Sequence, residues 1–275
     1  MQIDGNTKLV GIVADPVSHV RTPQLLNTAA ARQGLNAVCV PLHTAAQDLR
    51  GLLAGLAGVK NLSGLVITIP HKEAVTALCG ELTPVASLVG AANVLRWDDA
   101  RSHWVGGNMD GDGFVAGLKE RGHTLTGKRV LLVGAGGAGK AIAYAVGREL
   151  PAQLVLSNRN IQRAEDAVQR ITSVLPGVDI KTGQADAIGF DVVINATSLG
   201  LEDGDSSPVP AETLNPGMLV CEAVMRETPL LKAASERGSA VHPGLCMLYG
   251  QIIEIAGFLG LTIESHNVLM DGLNT

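Results

Sequence analysis

The chain has 275 residues, enough for one large or two medium domains, and its 46% apolar residues can supply a sizeable core. Aromatic residues make up 3% and the net charge is −5, with no acidic or basic tail block, which weighs against a nucleic-acid surface. Cys39, Cys79, Cys221 and Cys246 lie far apart without a CxxC spacing, so they read as buried thiols in a reducing compartment rather than a disulfide framework or metal site.

In chain order, an apolar strand is predicted over residues 8–14. Thr22-Pro23 reads as the N-cap and first-position proline of a helix over 23–33 that stops at Gly34. A strand near 37–42, a helix near 45–57 and a strand Leu65–Ile69 follow, and Pro70 opens a helix to about Leu78. This βαβαβα order predicts a mostly parallel sheet. Val94–Trp97 and His103–Val105, joined by a turn at Asp98-Asp99, read as a hairpin, and a helix spans roughly 110–121. A second alternating region has strands near 129–133, 153–157, 191–195 and 218–224. A final helix, about 246–259, is apolar on most faces and is expected to pack on another domain. The fold class is α/β with two domains. An N-terminal α/β domain with a mostly parallel sheet covers 1–107 plus 246–275, and a Rossmann domain covers 108–245.

The Rossmann assignment rests on Val133-Gly134-Ala135-Gly136-Gly137-Ala138-Gly139-Lys140, a GxGxxG directly after one predicted strand and before a helix. Gly134 permits the tight turn, Gly136 lets backbone approach a pyrophosphate, and Gly139 lets helix and strand pack closely. A diphosphate would rest on the helix N-terminus, where unpaired N–H groups favour an anion. An NAD site would place an acid near the end of the second strand. Here that strand runs into Asn158-Arg159-Asn160-Ile161-Gln162-Arg163, and the next acid is Glu165. Arg159 and Arg163 suit a 2′-phosphate, so NADP is the expected cofactor, with NAD possible. The alternative is that the two arginines only solvate a helix start.

In the first domain, "GLVITIPHKEA" puts Lys72 just beyond a strand's C-terminal end, where α/β sheets place ligands. "GGNMDGDG" sets Asp110 at the domain boundary. Each has a bland alternative, a solvated first-turn lysine and a helix cap. Together with "DPVSHVRTP", "VGAANVL", "VGAGGAGKA", "SNRNIQRA", "INATSLGL", "ETPLL" and "GLCMLYGQ", these motifs resemble the shikimate dehydrogenase family along nearly the whole chain. The resemblance implies an NAD(P)-dependent oxidoreductase acting on a CH–OH group. It would interconvert a cyclic hydroxy acid such as shikimate and its ketone, in aromatic amino-acid biosynthesis. The first domain would hold the substrate and the second the cofactor.

By the same resemblance, Lys72 and Asp110 form the catalytic pair, and Thr22, Thr68, Asn93 and Gln251 bond the substrate. Gly134, Gly136, Gly137, Ala138, Gly139, Asn158, Arg159, Arg163, Thr197, Gly244 and Met247 line the cofactor. A capping turn at 195–198 and a plain helix start at 244–247 remain the alternatives for the last three. His19 matches a motif position and reads as structural. A lysine ammonium beside a carboxylate can donate, accept and orient at the oxygen that becomes a hydroxyl. The pattern departs at Val20 and Val66, where a hydroxyl and an amide are usual, and near Ala223 and Val224, where a tyrosine is usual. Quinate or a related hydroxy acid is the alternative substrate, and a catalytically inactive dinucleotide-binding protein the non-enzyme alternative. A cytoplasmic monomer or homodimer without nucleic-acid, metal or membrane partners completes the expectation.

Overall fold

The computed structural model describes residues 2–18 and 20–263, so His19 and the tail 264–275 of the predicted first domain lie outside the described residues. The chain divides into two compact units. One holds Met1–Met109 with the stretch from Gln251 onward, and the other holds Asp110–Gly250.

The first unit contains β1 (Lys8–Ala14), α1 (Thr22–Arg32), β2 (Ala37–His43), α2 (Leu49–Leu56), β3 (Leu62–Ile67), β4 (Glu81–Leu82), α3 (Pro84–Val89), β5 (Val94–Asp98) and β6 (His103–Gly107). The sheet order is β2-β1-β3-β5-β6-β4, with β1 parallel to β2 and β3, β5 antiparallel to both β3 and β6, and β4 parallel to β6. Val13, Leu65, Ile67, Leu95 and Trp104 centre its core.

The second unit contains α4 (Asp110–Glu120), β7 (Arg129–Val133), α5 (Gly137–Arg148), β8 (Gln153–Ser157), α6 (Ile161–Val174), β9 (Ile180–Thr182), β10 (Val192–Asn195), β11 (Leu219–Glu222), α7 (Pro229–Glu236), β12 (Ala240–His242) and the start of α8 (Gly244–Phe258). All five strand pairs are parallel, in the order β12-β11-β10-β7-β8-β9. Counted from β7, this is the doubly wound order 3-2-1-4-5-6, with its switch point between β7 and β10. The central strands read RVLLV and VVIN because both faces are covered, one core centred on Leu132 and Ile142, the other on Leu131 and Val193.

Several local expectations are corrected. Thr22 is the first helical residue rather than the cap. Arg21 holds the cap position without a side-chain bond. The strand expected at Leu65–Ile69 is Leu62–Ile67, and it requires glycine at 64, where φ is +154° and a Cβ would meet the Leu95 carbonyl oxygen at 2.2 Å. The helix expected from Pro70 shrinks to a 3-10 turn, Ala74–Leu78. Tertiary bonds hold the preceding residues instead. The Thr68 N–H donates to Val13 O (3.1 Å), His71 Nε2 donates to Thr44 O (2.8 Å), and the Ala92 N–H donates to Lys72 O (2.8 Å). The helix expected over 45–57 splits into a 3-10 turn, Ala46–Asp48, and α2. The unpredicted α3 is signalled by Thr83-Pro84, whose Thr83 Oγ1 accepts from the Ala86 N–H.

His242 ends β12 fully buried, with neither ring nitrogen partnered among the described residues. Its ring lies edge-on to Phe114 and His123 at 6.0 and 6.1 Å. Burial, reinforced by nearby Arg121 and His123, pulls its pKa down to about 4. The folded chain therefore keeps this imidazole neutral, while the unfolded chain binds a proton below about 6.5. The stability contributed is complete above that value and is lost as pH falls toward about 4, an effect of about 3 kcal/mol. Thermal melts between pH 7 and 4.5 should show the loss, and His242→Phe should flatten it. An unchanged slope in that variant would assign the acid sensitivity elsewhere.

Candidate active site

In the first unit the site is built at the carboxyl edge of the parallel strands. Val13 of β1 and Ile67 of β3 are register partners, and the exits beyond them are stitched by Asp15 N–H to Ile69 O (3.1 Å). Both exits pass through a cis prolyl bond, Asp15–Pro16 and Ile69–Pro70. Thr22 is buried at the head of α1, and Thr68 and Lys72 are half-buried just past β3. Asn93 is buried immediately before β5, where its carbonyl accepts from the Ile67 N–H (2.8 Å). Its Oδ1 accepts from the Met109 N–H at 2.9 Å, and Asn108 Nδ2 donates to Ala91 O at 3.0 Å. The structure thus brings Thr68, Lys72 and Asn93 to one sheet edge. Gln251 is buried on α8, in the same unit. Asp110, 1% exposed, opens α4 and belongs to the second unit.

In the second unit the glycine loop lies at the switch point. Gly134 adopts φ +117°, which favours glycine, and a Cβ there would stand 2.6 Å from the Ala196 carbonyl. Gly139 allows the closest approach, since its Cβ would meet Gly134 O at 2.1 Å. Gly136 differs, with open space where a Cβ would point. It is the N-cap of α5, whose first turn includes the half-buried Gly137 and Ala138. The N–H groups of that turn have no intrahelical acceptors, so this is a cradle for an anion. Asn158 braces it. Its Oδ1 accepts from the Ala135 N–H (3.0 Å), and its Nδ2 donates to Asn160 O (2.8 Å). Asn160 in turn caps α6 through the Arg163 N–H, which leaves Arg159 and Arg163 exposed beyond β8. These residues fit a dinucleotide carrying an extra phosphate.

Thr197 follows β10 and is held by the fully buried Asn195, whose Oδ1 accepts from the Thr197 N–H and Oγ1 at 3.0 and 2.7 Å. Gly244 opens α8 against the Val224 carbonyl, and Met247 is buried in the core of this unit. Sequence reasoning missed Glu222, fully buried at the end of β11. Its signal was available: a lone acid closing the apolar strand LVCE. Burial pushes this carboxyl above the usual range, opposed by hydrogen bonds from Val224, Asn195, Thr228 and Ala223. The cysteines are free thiols, and burial pushes Cys39 up to about 12 and Cys79 to about 11.

The model of the shikimate dehydrogenase substrate binding domain matches residues 12–95, and that of shikimate / quinate 5-dehydrogenase matches residues 117–201. A shikimate dehydrogenase (NADP(+)) of Rubrobacter xylanophilus is 40% identical over 261 residues, covering 92% of this chain and 90% of the relative. The chain belongs to the shikimate dehydrogenase family. The crystal structure of shikimate dehydrogenase from Aquifex aeolicus has a TM-score of 0.89 at 28% identity, with all of both chains covered. Shikimate 5-dehydrogenase from Thermus thermophilus, in complex with NADP(H) and shikimate, has a TM-score of 0.85 at 28% identity, covering 97% of this chain and 98% of that one. Within the family pattern, the departing Val20 is half-buried in the loop between β1 and α1, and Val66 is buried in β3.

Proposed function

We propose that this chain is an NADP-dependent shikimate dehydrogenase, with substrate held by the first unit and cofactor by the second. The dinucleotide, when bound, supplies or accepts the hydride. Lys72 donates a proton to the substrate oxygen as the ketone becomes a hydroxyl, and takes it back in the reverse direction. Asp110 is the other group of the acid–base pair. Thr22, Thr68, Asn93 and Gln251 bond the substrate's hydroxyl and carboxylate groups and fix the face presented to hydride. The observation that carries the reading is the cradle at Gly136, open to a pyrophosphate and followed past β8 by two arginines. The activity of the relatives, shikimate dehydrogenation, supplies the substrate class. The test is initial rates of shikimate oxidation with NADP and NAD, with quinate in parallel. NADP-linked turnover of shikimate is expected.

A second reading, dehydrogenation of quinate or a related cyclic hydroxy acid, is favoured by Val20 and Val66, which offer the substrate neither a hydroxyl nor an amide. Higher kcat/KM for quinate in the same panel would establish it. A cytoplasmic enzyme acting as monomer or homodimer is part of the proposal. No helix of the described residues is long and apolar enough to cross a membrane.

Cofactor choice gives a further prediction. Arg159→Ala and Arg163→Ala should each raise KM for NADP about tenfold, the scale of one lost charge-assisted contact, and leave KM for NAD nearly unchanged. Equal changes for both cofactors would detach these arginines from the 2′-phosphate.

A further inference from the structure

We propose that Glu222 is a positioning residue that sets, from one buried carboxylate, both loops of the second unit assigned to the cofactor. The proposal rests on the functional reading above. Glu222 is fully buried at the carboxyl end of β11, next to the switch-point strand β10. Its carboxylate accepts from Asn195 Nδ2 at 2.9 and 3.0 Å, the Ala223 N–H at 2.9 Å, the Val224 N–H at 3.0 Å and Thr228 Oγ1 at 2.8 Å. All of these donors are neutral. A buried carboxylate without a cation is costly, so full satisfaction by hydrogen bonds is the condition for keeping it.

The chemistry of a carboxylate gives it direction. It only accepts, so Asn195 must turn its NH2 group toward Glu222. The Asn195 carbonyl oxygen then faces the other way, onto the Thr197 N–H and hydroxyl. The Thr197 oxygen in turn accepts from the Leu199 N–H at 3.0 Å. The backbone set in this way, Ala196–Thr197, is the surface against which Gly134 packs. On its other side Glu222 fixes the turn at Ala223-Val224, and the Val224 carbonyl lies against Gly244, where a Cβ would come within 2.3 Å. Thr228, bonded to the same carboxylate, caps α7 through the Leu231 N–H. Asn195 Nδ2 also donates to Leu199 O at 3.1 Å, so a glutamine at 222 would leave this amide oriented but set an NH2 group against one of the donors, and the Thr197 loop would lose a bond that holds it. Nothing in the chemistry requires Glu222 to touch cofactor or substrate.

The test is Glu222→Gln, read by NADPH fluorescence titration, steady-state kinetics and hydrogen–deuterium exchange on the full chain. Kd for NADPH should rise about tenfold or more, the scale of disturbing a hydrogen bond to a charged group. KM for shikimate should stay within about twofold. Exchange should quicken together in 196–200 and 223–228 and remain unchanged in the strands of the first unit. An unaltered Kd in folded Glu222→Gln, or exchange that rises evenly throughout the second unit, would overturn the proposal. Should that variant fail to fold, Thr228→Val withdraws one donor from the same carboxylate and is judged by the same readouts. If wild-type protein binds no NADPH, the functional reading fails, and the paired exchange of the two loops still decides the role of Glu222.

Discussion

Lys72→Ala and Asp110→Asn should each lower kcat by about 100-fold or more, the usual scale for a lost general acid–base group. Lys72 stands half-buried just past the end of β3, on backbone fixed by its carbonyl's bond from the Ala92 N–H. Alanine at 72 therefore removes the ammonium without releasing the strand exit. Asp110 is buried at the first position of α4, and asparagine keeps its shape while removing the charge. If the two act as one unit at the substrate oxygen, the double variant should be little worse than either single one. KM for NADP should hold in all three, because neither residue belongs to the glycine loop. The check is kcat and kcat/KM with shikimate, with thermal melts to confirm folding. Near-normal kcat in either single variant would remove that residue from the reaction.

The second large effect is expected at Gly139. In Gly139→Ala the new methyl carbon would be placed 2.1 Å from Gly134 O, and both positions are backbone in a packed strand–helix turn. Neither can yield without moving β7 or α5. Overpacking of this kind costs about 3 kcal/mol at the upper end of its usual range, and a shift of the cradle should lower NADPH affinity by about 100-fold. Gly136→Ala provides the contrast. It has open space, and its φ of −77° suits alanine, so the fold should lose no more than about 1 kcal/mol, the scale of alanine at a helix N-cap. Its methyl would occupy the space left for the pyrophosphate, so NADPH affinity should still fall. Melting temperature and NADPH titration on the two variants separate packing from ligand contact. A Gly139→Ala protein as stable as wild type would show that the turn can relax.

Much of the fold was legible because its signals are local. The runs at 8–14 and 129–133 are apolar on both faces, and parallel strands covered by helices need that composition. Gly134, Gly136 and Gly139 announce their turn by spacing alone, and the absence of an acid before Glu165 turned the cofactor expectation toward NADP. Thr22 misled because Thr-Pro is a strong cap signal, yet the chain enters α1 one residue sooner, with Arg21 at the cap position. Pro70 misled for a related reason. A proline after a strand predicts a helix start, but Thr68, His71 and Lys72 give their backbone or ring groups to β1, Thr44 and Ala92 instead.

By itself the sequence determined two alternating α/β regions, the glycine turn, the arginines past the second Rossmann strand and the candidates Lys72 and Asp110. The first three follow from residue type and spacing within a short window, whereas Lys72 and Asp110 stood out only through the family resemblance of motifs spread along the chain. Only the tertiary structure decided that Asn93 anchors the backbone just before Asp110, that His242 is buried with neither ring nitrogen bonded among the described residues, and that Glu222 binds Asn195, Thr228 and its own following turn. The physical reason is that a polar group's role depends on which donors and acceptors surround it once water is gone. Asn195 and Glu222 are 27 residues apart in the chain, and only the pairing of β10 with β11 makes them neighbours.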